Sequence, residues 1–374
     1  MNPYWLEDEA PTRRQVTHPG RVEVAIVGAG VTGCAAALRL AESGLSVRVH
    51  DQRGVAEGAS GRNGGFALRG GASRYDIARE TYGVDQAREL WRWTEAALDR
   101  MAELAGDALV RNGSFRLAAD AEEREQIRAE YEALHEDGLA AEWIDDLPGH
   151  LAGRFDGGII HPDDGALQPA RFVRRLAARA AEAGAEFREH DRVDHVEALD
   201  ADAVLVATDG YGHGLVPELS DAIWPTRGQV IVSAPLDRML YDRPHYARQG
   251  FDYWQQLPNR RLVLGGFRDV SIMDELTDEE VTTPVIQSSL ETFMGELIGA
   301  TPEITHRWAG IFGLTQDMLP LVGRVPGRDH VWVAGGYSGH GNVLGFACGE
   351  LVAGAMQGDT EAMQLELFDP ARLA

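Results

Sequence analysis

The chain of 374 residues lacks lysine altogether, so all 35 of its Lys or Arg positions are arginine. Without lysine it has no Schiff-base nucleophile of that kind and no P-loop lysine. Cysteine is scarce as well. The two present, Cys34 and Cys348, lie in apolar, helix-like stretches where small buried thiols are expected rather than a disulfide, which points to a reducing compartment. No apolar run approaches the roughly 18 residues of a membrane span, and residues 1–20 have no apolar core of the signal-peptide kind, so a cytoplasmic protein without a membrane partner is expected. Positive charge is in deficit. With 59 acidic residues the formal net charge is −24, which disfavours nucleic acid and anionic lipid, serves solubility, and attracts a cationic small molecule such as an amine. At 44% hydrophobic and 25% charged residues, disorder and collagen-like structure are excluded.

What the chain does have is glycine, 43 residues of it, and length enough for two lobes or one large α/β enzyme domain. From residue 21 to 51 the pattern reads as an apolar strand, a glycine turn, a helix with Ala and Leu on its inner face and a second strand, which is one βαβ unit. Helices are predicted over 75–105, 121–137, 169–183 and near 280–298, and a strand pair over 109–118 that turns at Asn112 and Gly113. Strands at 186–190 and 203–207 return to the first sheet. Between 224 and 267, strand-like segments separated by turns, with TRGQ at 226–229 among the turns, predict an antiparallel sheet in a second lobe. The last third runs through strands at 307–315 and 331–336 into a glycine turn and a helix of small residues.

Gly28-Ala29-Gly30-Val31-Thr32-Gly33 is a G-x-G-x-x-G whose context makes it informative: a strand feeds it, a helix starts at it, and the next strand ends at Asp51, 23 positions after Gly28. Gly28 permits the tight turn, Gly30 lets a pyrophosphate approach the backbone, and Gly33 lets helix and strand pack closely. Amides at the helix start face the anion, and Asp51 accepts hydrogen bonds from an adenosine ribose. The unit does not separate NAD from FAD, since both carry an ADP half. The polar glycine loop that follows, Gly58 to Phe66 with Arg62 and Asn63, is suited to wrapping the rest of a dinucleotide.

Together with Tyr4-Trp5-Leu6, ATDGYG at 207–212, TRGQ, LTQDMLPLVGR at 314–324 and GYSGHG at 336–341, these residues show a resemblance over nearly the whole chain. The sequence resembles the D-amino-acid-oxidase-like FAD oxidoreductases, a family that includes glycine oxidase, sarcosine oxidases and γ-glutamylputrescine oxidase. Arg62-Asn63, Gly210-Tyr211 and Tyr4-Trp5 look most like the γ-glutamylputrescine oxidase branch. The resemblance implies a two-lobed α/β fold. Its Rossmann-type FAD-binding domain would comprise residues 21–108, 154–222 and 305–365, and its substrate-binding domain, on a mostly antiparallel sheet, 109–153 and 223–304. It also implies FAD held noncovalently. Gly28, Ala29, Gly30, Val31, Thr32, Gly33, Asp51, Gln52 and Arg53 would hold the ADP half, with Val193 at the adenine and Thr208 and Gly210 after the supporting strand. The flavin half would lie on Ala59, Ser60, Arg62, Asn63, Gly64 and Gly65 and on Gly339, His340, Gly341, Asn342 and Val343. Gly310 and Asn63 stand near where relatives carry a flavin-linked cysteine or histidine.

The substrate contacts depart from the family. Its amino-acid oxidases clamp the substrate carboxylate with an arginine in a G-[LV]-R-P segment, and the matching Gly310-Ile311-Phe312-Gly313 has Phe312 there. Val343 replaces the lysine that follows the turn in sarcosine oxidases. Both losses argue against glycine, sarcosine or a plain D-amino acid unless Arg69, Arg248 or Arg268 takes over; an amine whose carboxylate is remote or absent fits better. The implied chemistry is oxidation of a C–N bond, with hydride passing to the flavin N5, hydrolysis of the imine and reduction of oxygen to hydrogen peroxide, for which no dedicated base is required. γ-Glutamylputrescine or a similar amine is the expected substrate. His340, Tyr253, Trp254 and Phe312 are the expected pocket residues, although strand alternation lets only one of Tyr253 and Trp254 face the flavin. Arg227 reads as a link between lobes rather than a substrate ligand. His161, His195, His213 and His306 lack metal-ligand spacing, so no metal is assigned. A dehydrogenase with another acceptor, a glycine- or sarcosine-type oxidase and a non-catalytic flavin-binding subunit are the alternatives, in a monomer or small homo-oligomer.

Overall fold

The computed structural model describes residues 3–212, 214–359 and 362–373; His213 lies outside them. β1 (Val22–Val27) runs into the glycine turn, α1 (Val31–Glu42) leaves it, and β2 (Val47–His50) lies parallel beside β1. The chain returns to this sheet with β9 (Glu186–Arg188) next to β2 and β10 (Ala201–Val206) next to β1, both parallel. β17 (Arg328–Gly335) extends it in parallel and β16 (Leu321–Val325) closes the edge in antiparallel, giving the order β16-β17-β10-β1-β2-β9. Because β1 has later strands on both sides, the crevice at its carboxyl end is where such a sheet takes a ligand.

One face of this sheet is covered by α1, by α5 (Pro169–Ala183) and by α7 (Val343–Met356), with α3 (Val84–Ala105) packed outside α7. The limits of α5 are written locally: Pro169 opens it, the Gln168 side chain accepts the Arg171 N–H, and Gly184 ends it with φ of 115°. Small residues bring the helices close. A Cβ on Gly33 would stand 1.9 Å from the Gly28 carbonyl oxygen, and one on Gly349 2.5 Å from that of Thr32. Cys34 and Cys348 are free and buried in this core. The other face packs Val22, Ala25 and Val27 of β1 against Val204, Val206, Val331 and Leu219.

The second sheet has eight strands. These are β5 (Ser114–Leu117), β6 (Glu142–Ile144), β7 (Gly158–His161), β11 (Trp224–Ser233), β12 (His245–Ala247), β13 (Asp252–Gln256), β14 (Leu262–Gly266) and β15 (Ile304–Leu314). Their order is β15-β11-β14-β13-β12-β5-β7-β6, antiparallel throughout except at β5 and β12. α6 (Pro284–Ile298) buries Ile286, Leu290 and Met294 against one face. A small sheet of β3 (Phe66–Ala67), β4 (Leu109–Val110) and β8 (Gly165–Leu167) adjoins, with α2 (Tyr75–Tyr82) and α4 (Ala121–Glu136) alongside. No described helix is long and apolar enough to cross a membrane.

Four expectations change. The helix predicted over 75–105 is two, α2 and α3, parted at Gly83 with φ of 91°. β4 and β5 do not pair with each other: Asn112 donates to the Asp242 carbonyl and accepts from the Ala166 N–H, while the Gly113 N–H bonds to Asp164, so the turn passes the chain from the small sheet to the large one. TRGQ is not a turn but the middle of β11. β7 and β15 fall within the ranges expected for the FAD-binding domain, yet both join the eight-stranded sheet; β15 is held there by ten residue pairings with β11, from Trp224↔Leu314 to Ser233↔Ile304.

Candidate active site

A cavity of about 770 Å³ runs from the start of α1 to the eight-stranded sheet. At the α1 end, Gly28 has φ of 110°, and a Cβ there would lie 2.5 Å from the Ala207 carbonyl oxygen, so only glycine makes this turn. The Ser60 hydroxyl accepts the Val31 N–H at 2.9 Å, which ties the second glycine loop to the first turn of α1. Asp51 accepts the Ala29 N–H at 2.7 Å and the Arg53 N–H at 2.8 Å, which fixes its carboxylate as an acceptor at the cavity wall. Burial pushes its carboxyl upward and those two bonds pull it down, with burial the larger effect. Gly28, Gly30, Val31, Thr32, Asp51, Gln52, Arg53, Val193 and Thr208 line the cavity. Ala29, Gly33 and Gly210 stand behind it: Ala29 supplies the amide to Asp51, Gly33 the helix–strand contact, and a Cβ on Gly210 would meet the Phe312 carbonyl carbon at 2.5 Å.

The loop through Ala59, Ser60, Arg62, Asn63 and Gly64 forms the next part of the wall. Its carbonyls are taken from behind. The indole of Trp308 donates to Arg62 at 2.8 Å, that of Trp5 to Asn63 at 2.7 Å, and the Gln255 amide to Gly64 at 2.6 Å and Gly65 at 2.8 Å. Gly65 lies behind the wall, against the Leu167 carbonyl. Asn63 and Asn342 exchange two side-chain amide bonds of 3.1 Å each, locking this loop to Gly339, His340, Gly341, Asn342 and Val343, which also face the cavity. At Gly310 a Cβ would stand 2.7 Å from the Arg62 Cβ, so no larger side chain fits there.

His340 is half-buried, but its Nδ1 is enclosed without a partner, and desolvation pulls the imidazole down to about 4, neutral at pH 7. Sequence reasoning missed Asp209. It follows β10 with φ of 47°, accepts the Gly313 N–H at 2.9 Å and the Gly336 N–H at 2.8 Å, and so ties the first sheet to β15 and β17 at the cavity. The two glycines that follow it in ATDGYG were the available signal.

The floor is one face of the eight-stranded sheet. Gly265, Tyr253, Tyr246 and Arg116 are direct partners across four strands, whereas Leu264, Trp254, His245 and Phe115 form the neighbouring row on the opposite face. Trp254 is therefore not a pocket residue. It is fully buried under α6, stacked on His245 and Phe155, because a period of two sends it away from Tyr253. The Tyr253 ring lies across Gly265, where a Cβ would be 2.4 Å away, and against Gly64, where it would be 2.7 Å away. Gly228 leaves room between the Tyr253 hydroxyl and the Phe312 ring, at 3.9 and 3.7 Å from its Cβ position. Beyond Tyr246 comes a buried polar group that the sequence did not mark: Arg116 bound to Glu130 at 2.7 Å, His161 with Nδ1 unpartnered, and Asp164 bonded to the Ser114 hydroxyl at 2.6 Å and pushed up to about 6 by burial. His306 lies elsewhere, paired with Glu7.

The cavity arginines sort by partner. Arg53 and Arg62 share Glu280, Arg69 pairs with Glu95, Arg74 with Asp76, Arg116 with Glu130 and Arg192 with Asp194. Arg268 alone among the described lining arginines has no carboxylate; its guanidinium lies over Phe251 at 4.8 Å and Phe312 at 5.9 Å. Arg248 is held by Asp252 and Asp269. Arg227 binds Glu275 through two nitrogens at 3.0 and 2.9 Å and so anchors the 274–283 segment, whose Glu280 reaches across to Arg53 and Arg62.

A glycine turn at a helix start, an acceptor carboxylate fixed by amides and two glycine loops along one continuous cavity fit an extended dinucleotide. The comparisons agree. The family model described as FAD dependent oxidoreductase matches residues 23–355. The chain is 30% identical to the γ-glutamylputrescine oxidoreductase of Escherichia coli over 91% of its own length and 84% of the relative's. It is 26% identical to the glycine oxidase of Geobacillus kaustophilus over 96% and 98%. The crystal structure of glycine oxidase from G. kaustophilus superimposes with a TM-score of 0.77 at 23% identity, covering 95% of this chain and 99% of that one. That of L-proline dehydrogenase from P. horikoshii gives 0.78 at 21%, covering 95% and 98%.

Proposed function

This chain belongs to the FAD-dependent oxidoreductases, and from that premise we propose that it oxidises a C–N bond of an amine whose carboxylate is remote from the reacting carbon or absent. One observation carries the reading: a single cavity joins the dinucleotide wall to an aromatic floor, and on β15 that floor presents Phe312, the residue that the family resemblance aligns with the carboxylate-clamping arginine. When bound along Gly28, Asp51, the Ser60–Gly64 loop and the Gly339–Val343 turn, FAD would supply a two-electron oxidation of the C–N bond to an imine that water hydrolyses, and oxygen would take the electrons to give hydrogen peroxide. Gly310 without room for a side chain, and Asn63 committed to Asn342, support noncovalent binding.

The chain's own residues do the rest. Tyr253 and Phe312 exclude water and orient the substrate's C–H bond, and neutral His340 offers an acceptor without adding charge. The amino end of α7, whose Asn342 side chain is spent on Asn63 and Phe66 rather than on a cap, favours negative charge beside it. A second reading, a dehydrogenase with another acceptor, is favoured by the lack of any lysine, including at Val343. The test is oxygen uptake with coupled peroxide detection over a panel of primary and secondary amines and amino acids. Peroxide formed in step with amine consumed supports an oxidase, amine-dependent reduction of a dye without oxygen uptake supports the dehydrogenase, and no turnover of any amine contradicts the proposal.

A further inference from the structure

We propose that Arg268 determines substrate specificity by binding a carboxylate on the amine, in the aromatic part of the cavity beside Phe312. The inference rests on the amine-oxidation reading and narrows it, since the carboxylate is then remote rather than absent. Its ground is the pairing of charges. Six other arginines line the cavity and each has its carboxylate, whereas Arg268 has none among the described residues.

The vacancy is built in. Two carboxylates whose charge acts on Arg268 are both bound elsewhere, Asp269 by Arg248 at 2.9 Å and Glu275 by Arg227 at 2.9 Å. Those pairs bracket the residue in sequence and fix its segment while leaving its own guanidinium free. Gln229 strengthens the second bracket, donating to both Glu275 oxygens at 3.1 Å and accepting the Thr283 N–H at 2.9 Å. The guanidinium carbon lies over the Phe251 ring at 4.8 Å and the Phe312 ring at 5.9 Å, and its N–H fork, without a carboxylate among the described residues, can take a bidentate acceptor. Half-buried and without an anion, the group is pulled below the usual arginine range by desolvation, a cost that an arriving carboxylate relieves.

Contacts link this site to the chemistry. Arg268 lies over Phe312, the Phe312 ring and the Tyr253 hydroxyl both lie within 4 Å of the Gly228 Cβ position, and the Tyr253 ring lies against Gly64. An anion at Arg268 therefore shares one cavity with Tyr253, Phe312 and the Arg62–Gly64 loop, where a carboxylate carried on an extended amine can be bound while its amine reaches that loop.

The test uses yellow holoprotein, γ-glutamylputrescine and its carboxamide analogue, with anaerobic flavin bleaching as one readout and titration with glutarate, a non-oxidisable carboxylate that perturbs the flavin spectrum, as the other. The wild type should prefer the carboxylate form by about 100-fold, through KM rather than kcat, and Arg268→Gln should bring that ratio close to one and abolish the glutarate perturbation. Arg268→Lys, which keeps the charge and loses the fork, should restore part of the preference and serves where the glutamine variant folds poorly. A wild type indifferent to the carboxylate, or a preference that survives in Arg268→Gln, overturns the role of Arg268 and leaves amine oxidation standing. If neither amine bleaches the flavin, the functional reading fails on its own; glutarate binding that disappears in Arg268→Gln still supports the anion site, and glutarate binding that persists or never occurs overturns it.

Discussion

The two ends of the cavity are built by different means. At the α1 end the wall is mostly backbone, and its polar groups are already satisfied within the chain: Asp51 by two amides, the loop carbonyls by Trp5, Trp308 and Gln255, Asn63 by Asn342. At the second-lobe end the wall is side chains, Tyr246, Tyr253 and Phe312 among them, and the guanidinium of Arg268 has no carboxylate among the described residues. A wall complete before its ligand arrives suits a cofactor that never changes. One left with an unpaired cation is completed by whatever comes to react, since buried polar groups are rarely left unpaired.

The contrast can be broken at either end. The largest effect is expected for Gly33→Val, whose Cβ would collide with the Gly28 carbonyl oxygen at 1.9 Å, backbone against backbone. The variant should be purified without flavin or not at all, and a yellow, stable Gly33→Val protein would show that the turn is not what holds the cofactor. Next comes a pair of neighbours. Trp254→Ala should cost about 3–5 kcal/mol of stability as a buried-core truncation, measured by denaturant unfolding, while Tyr253→Phe should leave stability within about 1 kcal/mol and change KM or kcat. The reverse result would put the wrong face of β13 in the cavity.

Smaller effects probe the seams. Asn342→Ala removes the reciprocal amide pair and the 2.7 Å bond to the Phe66 carbonyl, so FAD should be held about tenfold less tightly, as read by apoprotein reconstitution. Unchanged affinity would mean the two loops need no link. The smallest effect is in pH. The folded imidazole of His340 stays neutral down to about 4 while the unfolded chain takes up a proton near 6.5, so stability falls as pH drops through that window. His245, also lowered to about 4, acts in the same direction, and Asp164, raised to about 6, opposes both over the lower part of it. His340→Gln should make the fall of Tm between about 6.5 and 4 shallower by one proton, and an unaltered slope would show that His340 is not enclosed.

The same division decides how much was legible in the sequence. The glycine turn, Asp51 and the limits of α5 follow from local constraints, a positive φ at Gly28 or a proline and a glycine at the helix ends, which a linear pattern records. Strand alternation indicated that only one of Tyr253 and Trp254 faces the flavin, but which one depends on α6 covering the other face, a fact of tertiary packing. Asn112-Gly113 was read as a hairpin because its partners Asp242 and Ala166 are far away in sequence. Of the three arginines offered as replacements for the missing clamp, Arg248 was already taken by Asp252, four residues on, and by Asp269, and Arg69 by Glu95, a pairing that no spacing announces.

The most direct test of the account is anaerobic mixing of the yellow holoprotein with γ-glutamylputrescine, following the oxidised-flavin absorbance and then admitting oxygen. The account predicts rapid bleaching that reverses with release of hydrogen peroxide. A flavin that stays oxidised with this amine and with a wider panel of amines and amino acids would contradict it.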